Sequence, residues 1–167
     1  MTGHDEIRPY RLGVGIILVN RRGEVFVGQR IDTSQPAWQM PQGGIEDGED
    51  PRAAALRELR EEAGTDKAEV VAETTEWVTY DLPADVSCTV WGGRYRGQKQ
   101  KWYVMRFLGC DADIAVAATE SPEFSSWRWM DLDSVVAHIV AFKRDLYVQV
   151  IAELRDAIRA AATGWQW

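Results

Sequence analysis

Glu58, Glu61 and Glu62 are spaced three and four residues apart. At about 3.6 residues per turn this puts all three on one face of a helix. Carboxylates on adjacent turns repel one another, so an isolated helix gains nothing from the grouping, and something positive belongs among them. Hard oxygen donors suit Mg²⁺ or Mn²⁺, and Mg²⁺ completes its octahedron with water and substrate phosphate oxygens. Taken alone, the pattern equally describes a solvated acidic face paired with Arg57 and Arg60. Its surroundings favour a site. A glycine-rich loop precedes the helix, where backbone can approach a ligand closely, and Gly64 stands just past the last glutamate, where it can end the helix.

The helix that must carry these groups has readable boundaries. Asp50 is a good N-cap and Pro51 suits the first helical position, while Leu56, Leu59 and Ala63 form a second stripe available for burial. Residues 12–19, LGVGIILV, read as a strand buried on both faces, Asn20 to Gly23 as a turn, and Glu24 to Arg30 as the second arm of a hairpin. Residues 31–42 form a loop, broken by Pro36 and Pro41 and anchored by Trp38. Val70 to Leu82 reads as strand interrupted around Glu73 to Glu76. Residues 83–98 make a long loop of glycines, aromatics and arginines, a kind that often carries function. Lys101 to Leu108 is a strand, the chain is irregular up to Phe124, and Ser126 to Met130 is a short strand. Two helical pieces fill 131–162, with Leu146, Val150, Leu154 and Ala157 on one stripe. Strands in the middle and helices from separate parts of the chain imply an α/β fold with a sheet between helices.

The 167 residues, 46% hydrophobic and 27% charged, are the size and composition of one soluble domain spanning 1–167. A net charge of −7 argues against coating a DNA duplex or any nucleic acid through its phosphates. It still permits a grip on one RNA end, because metal ions offset an acidic centre. Cys88 and Cys110 are too few and too far apart for a disulfide framework and read as free thiols. With neither a charged-then-apolar leader nor a long apolar run, the expectation is a cytoplasmic protein without a membrane partner.

Gly43, Glu49, Arg57, Glu58, Leu59, Glu61, Glu62 and Gly64 fall at the spacing of the Nudix box, here residues 43–65, and the chain is identified as resembling that hydrolase family. Thr65 departs from the aliphatic residue usual at the last position, which touches packing rather than chemistry. The resemblance implies an α/β/α sandwich with a central mixed β-sheet. Outside the box, the segments WQMPQGGI (38–45), GQKQKWY (97–103), PEF (122–124), WRW (127–129) and FKRDLY (142–147) resemble the bacterial RNA pyrophosphohydrolases and the related asymmetric diadenosine tetraphosphate hydrolases.

That resemblance implies roles for named residues. Glu58, Glu61 and Glu62, joined by Glu123 and a backbone carbonyl of Gln42 or Gly43, hold Mg²⁺, with Mn²⁺ an alternative. Glu58 or Glu62 is the general base, and Arg57 with Glu49 orients the glutamates. Arg11 contacts the phosphates, the nearby Arg8 being a decoy, and Arg30 is the second cation. Lys99 and Lys101 share a strand face and are expected to meet the polyphosphate. Tyr80, Phe142 and Lys143 border the base, with Phe142 equally readable as core. The substrate is a 5′-triphosphorylated RNA end, converted to a 5′-monophosphate so that mRNA decay begins, or a dinucleoside polyphosphate. GQKQKW leans toward RNA and WGGRYRG toward the dinucleotide enzymes. An inert ligand-sensing module is the remaining alternative, and the intact glutamates and Arg57 speak against it.

Overall fold

A computed structural model describes residues 7–31, 37–119 and 121–163. Pro36, His4, Trp165 and Trp167 lie outside the described residues. The chain alternates between strand and helix in the order β1 (Tyr10–Val19), β2 (Val25–Arg30), β3 (Trp38–Gln39), β4 (Gln42–Gly44), α1 (Pro51–Ala63), β5 (Ala68–Glu73), β6 (Val78–Asp81), α2 (Ala84–Ser87), β7 (Gly97–Phe107), β8 (Phe124–Met130), α3 (Leu132–His138) and α4 (Arg144–Thr163).

All eight strands join one mixed sheet. Its path runs β3-β2-β1-β7-β5, with β4 also on β1, β6 also on β7 and β8 on β2. β1 and β7 run parallel through a long register from Tyr10 opposite Gly97 to Val19 opposite Arg106, and the other pairings are antiparallel. A strand flanked on both edges and covered on both faces should be apolar throughout. Residues 13–19 of β1 are all buried, as the continuous apolar run predicts, whereas Leu12, expected to be buried with them, is exposed.

Two apolar layers sandwich the sheet. Val14, Ile16, Leu18 and Phe26 pack with Leu59 and Ala63 of α1, and with Tyr103 and Met105 of β7. On the other face, Ile17, Val19, Val27, Trp102 and Val104 pack against Val135 of α3 and Leu146, Val150 and Leu154 of α4. The layers are therefore α/β/α. Ala157 packs at the edge of the second layer, and the fully covered position one residue on is Ile158.

Several boundaries differ from the sequence expectation: β1 starts at Tyr10 and β5 at Ala68, and β3 lies within the stretch 31–42 expected to be loop. Gly43 and Gly44 belong to β4, which pairs with Gly13 and Val14, so the glycine-rich stretch ahead of α1 is strand before it is loop. β7 begins at Gly97, four residues before the expected Lys101. The long loop holds the single turn α2 and a 3₁₀ turn at Val90–Gly93. β8 starts at Phe124. The expected break after β5 is present: Thr74 is fully buried, and its N–H and Oγ1 exchange hydrogen bonds with the Trp102 backbone at 2.9 and 3.1 Å.

Candidate active site

The acidic helix is set by its two ends. The Asp50 carboxylate accepts from the Ala53 N–H at 3.1 Å, Pro51 follows, and Gly64, at φ 74°, closes the helix with its N–H on the Arg60 carbonyl. A cap of this kind is worth about 1 kcal/mol. Thr65, just beyond, is buried, and its hydroxyl accepts the Lys67 N–H at 3.1 Å.

Strand β4 is the surface against which the helix is aimed. A Cβ built on Gly43 would overlap the Glu58 carboxylate, and one built on Gly44 would overlap the Arg11 guanidinium. Successive residues of a strand face opposite ways. Gly43 thus admits an acid from α1 on one side, and Gly44 admits a cation from β1 on the other. Gln42, the first residue of β4, donates its backbone N–H to Glu62 Oε2 at 2.9 Å.

Arg57 ties these parts together. Its Nε and Nη2 each lie 2.8 Å from an oxygen of Glu49, Nη2 also donates to the Gly44 carbonyl at 2.8 Å, and Nη1 reaches Glu58 at 2.9 Å and Glu61 at 3.1 Å. The paired, planar contact holds Glu49 down to about 2, chiefly through the Arg57 hydrogen bonds. The acidic face is not uniformly solvated: Glu58 and Glu62 are 7% and 1% exposed, whereas Glu61 is open.

Burial pushes Glu58 up to about 7, against the lowering effect of Arg57 and with Glu61 and Glu123 adding to the rise. Glu62 is also raised well above the ordinary carboxylate range, for the same first reason, and Glu123 is the neighbour that contributes most. Glu62 Oε1 is buried and finds no hydrogen-bond donor. Two carboxylates share such a space only with a proton or a cation between them. Among the described residues no three such side chains form a ready-made cage, and Arg57 holds two of the glutamates aside. The donor set of hard oxygens, one of them buried and unsatisfied, nevertheless fits a divalent ion that fills most of its shell with water and phosphate.

A cleft of about 590 Å³ opens from this acidic end. Glu58, Glu61, Glu123, Gln42 and Gly43 line it together with Arg11, Arg30, Tyr80, Phe142 and Lys143. Glu123 is an exposed acid whose backbone carbonyl accepts the Ile31 N–H, which seats it beside the end of β2. Tyr80 and Phe142 are tilted rings with centroids 5.9 Å apart, and the Lys143 ammonium lies 5.6 Å from the Tyr80 centroid and 5.9 Å from that of Phe142. Burial pushes the Tyr80 hydroxyl up to about 12, so it is neutral and donates to Gln98 at 3.0 Å. Phe142 lines the cleft and also packs on the α3–α4 layer. Arg8 reaches away to Ser87 and Gly93 and is absent from the cleft wall.

Lys99 and Lys101 do not join this assembly. They share a face of β7, as expected, but it is the face opposite Gln98 and Gln100, and neither lysine lines the cleft. The Lys101 ammonium is held by the Thr74 carbonyl at 2.8 Å and lies 3.5 Å from Glu73. The cleft takes the glutamines instead. Gln98 lines it, and Gln100 donates to Gln98 at 2.6 Å and accepts from the Trp102 indole at 3.0 Å. Gln39 and Trp91 also line the cleft without having been singled out from the sequence. Trp91 lay within the long loop expected to be functional and opens the WGGRYRG stretch, and those were the signals available for it.

A helix presenting two buried carboxylates beside a cation-lined cleft, on an α/β/α sheet, is an arrangement suited to a phosphoanhydride hydrolase. The NUDIX domain model matches residues 9–150, and the chain belongs to the Nudix family of pyrophosphohydrolases. Within that family the RNA pyrophosphohydrolase of Roseobacter denitrificans is 62% identical over 145 residues, covering 86% of this chain and 90% of that protein. The RNA pyrophosphohydrolase of Rhodospirillum rubrum is 58% identical over 146 residues, 87% of each. Among solved structures, the MutT protein of Methanosarcina mazei Go1 superimposes with a TM-score of 0.65 at 18% identity, covering 88% of this chain and 96% of its own, which supports the fold.

Proposed function

We propose that this Nudix enzyme is an RNA pyrophosphohydrolase that adds water across the 5′-triphosphate of an RNA end, leaving a 5′-monophosphate and pyrophosphate and so opening the transcript to decay. The observation that carries the reading is a single cleft lined by Glu58, Glu61 and Glu123 and also by Arg11, Arg30 and the Tyr80–Phe142–Lys143 cluster. A polyphosphate needs cations, and an unpaired base needs an aromatic face. Two exposed free thiols, Cys88 and Cys110, suit a reducing cytoplasm.

Glu58, Glu61, Glu62 and Glu123, with a carbonyl of Gln42 or Gly43, are the groups to hold Mg²⁺, or Mn²⁺ in its place. When bound, the ion neutralises phosphate charge and acidifies a water. Glu58 or Glu62 accepts the proton of the attacking water at a carboxylate oxygen. Arg57 and Glu49 are positioning residues: their paired contact fixes the rotamers of Glu58 and Glu61 before substrate arrives. Arg11 and Arg30 orient the polyphosphate, and Tyr80, Phe142 and Lys143 receive a base.

Asymmetric hydrolysis of a dinucleoside polyphosphate is the second reading, favoured by Trp91, an additional aromatic wall for a second base. Incubating the enzyme and Mg²⁺ with 5′-triphosphorylated RNA and scoring its ends tests the proposal. Monophosphate ends with released pyrophosphate support it, and intact triphosphate ends overturn it.

A further inference from the structure

Arg11 differs from most of the protein's arginines in its partners. Among the described residues it has no hydrogen bond and no ion pair, although it lines a cleft that also holds acids. Its guanidinium is instead fixed by shape. The α-carbon of Gly44 lies against it, with no room for a Cβ, and the Trp91 indole lies over its Cζ at 5.1 Å. Stacking on an aromatic ring orients a guanidinium while leaving all of its N–H donors available.

The backbone goes out of its way to place that ring. Among the described residues Trp91 is the one non-glycine with positive φ, at 53°, and Gly92 and Gly93 continue the left-handed turn at 67° and 73°. A bulky side chain rarely adopts this conformation, and it persists only where its surroundings fix it. Here they do. Arg8 donates to the carbonyls of Ser87 and Gly93 and to the Ser87 hydroxyl, each at 3.1 Å, and the Arg96 N–H donates to Pro9 at 3.0 Å. The segment that starts β1 therefore latches the loop, and the loop returns an indole onto the arginine three residues along from the latch.

We infer that Trp91 is a positioning residue for Arg11, holding the guanidinium unpaired and aligned toward the substrate polyphosphate, with Arg8 as the latch that sets Trp91. The inference rests on the reading of the cleft as a polyphosphate site. It goes further in assigning a task to the long loop, which lies outside the glutamate-bearing helix.

Trp91→Gly removes the ring and puts the residue most at ease at that φ, so the fold is expected to keep its melting temperature. The KM for triphosphorylated RNA should rise about tenfold with kcat within about twofold, and the Kd of inorganic tripolyphosphate, measured by calorimetry with Mg²⁺, should weaken by a similar factor. Trp91→Phe should restore most of both. In an Arg11→Ala background Trp91→Gly should add nothing, since the ring then has no guanidinium to hold. The inference is overturned if Trp91→Gly lowers the melting temperature, if the two losses add, or if RNA is bound less well while tripolyphosphate is unaffected, which makes the ring a base platform. Tripolyphosphate binding judges Trp91 even if wild-type enzyme leaves RNA untouched, an outcome that counts against the proposed function alone.

Discussion

The Glu58 carboxylate sits where the side chain of residue 43 would be, and it can do so only because residue 43 is glycine. Gly43 has no left-handed torsion, so its role is steric. Gly43→Ala should leave a folded protein and force Glu58 out of its place. Turnover should fall by about 100-fold or more, the usual penalty for a misplaced catalytic group. Circular dichroism and kcat measured side by side check this, and a variant with near-normal kcat contradicts it.

Arg57 makes two parallel bonds to Glu49 and two more to the glutamates it aligns. Lysine carries the charge but cannot form the planar fork. Arg57→Lys should therefore lower kcat by about 10- to 100-fold, in the range for loss of a group that orients ligands. A kcat within twofold of wild type would show that charge alone is enough.

Glu62 is buried with an unsatisfied oxygen, which makes it a liability to the metal-free fold. Glu62→Gln should raise the melting temperature without metal and abolish the rise that Mg²⁺ produces in the wild type, together with most turnover. Thermal melts with and without Mg²⁺ read both effects. A Mg²⁺ shift that survives the substitution removes Glu62 from the metal site.

The pH dependence of the metal-free protein has a definite sign. Burial raises Glu58 from its ordinary 4.5 to about 7, so the folded state binds more protons than the unfolded between those values. The contribution is fully present below about pH 4.5 and is lost as pH rises through about 7. Metal-free melting temperature should decline across that window, and Glu58→Gln should flatten the slope. Mg²⁺ competes with the proton for the same carboxylate and should bind more tightly as pH rises. A metal-free protein that grows more stable from pH 5 to 7, with Glu58→Gln making no difference, contradicts the assignment.

Arg11 and Lys101 separate what the sequence suggested from what the fold places. Arg11→Ala should cost about tenfold or more in kcat/KM, as for a charged contact on phosphate, whereas Lys101→Ala should cost less than about threefold because its ammonium is engaged outside the cleft. Equal losses would place Lys101 back on the substrate.

The difference between these two residues shows what was legible. Helix α1 was readable end to end because its determinants are local: a capping Asp50, Pro51, the i, i+3, i+4 acids and Gly64. Glu49 and Arg57 met as expected. The parity of β7 was not readable. Trp102, Tyr103, Val104 and Met105 are all apolar, the strand being covered on both faces, so no alternation says which way Lys99 and Lys101 point. β4 was hidden for another reason. Two glycines carry little strand preference, and their pairing with β1 depends on residues about 30 positions away. Arg8, set aside as a phosphate ligand, lies off the cleft wall, and its part in holding the 83–96 loop needed the fold to be seen.

The most direct test of the central claim is a competition between short 5′-triphosphorylated RNA and diadenosine tetraphosphate at equal phosphoanhydride concentration with Mg²⁺. The kcat/KM for the RNA is expected to exceed that for the dinucleotide by about tenfold or more, equivalent to about 1.4 kcal/mol of transition-state binding. A dinucleotide preferred by that margin contradicts it and makes Trp91 and the long loop part of a second base site.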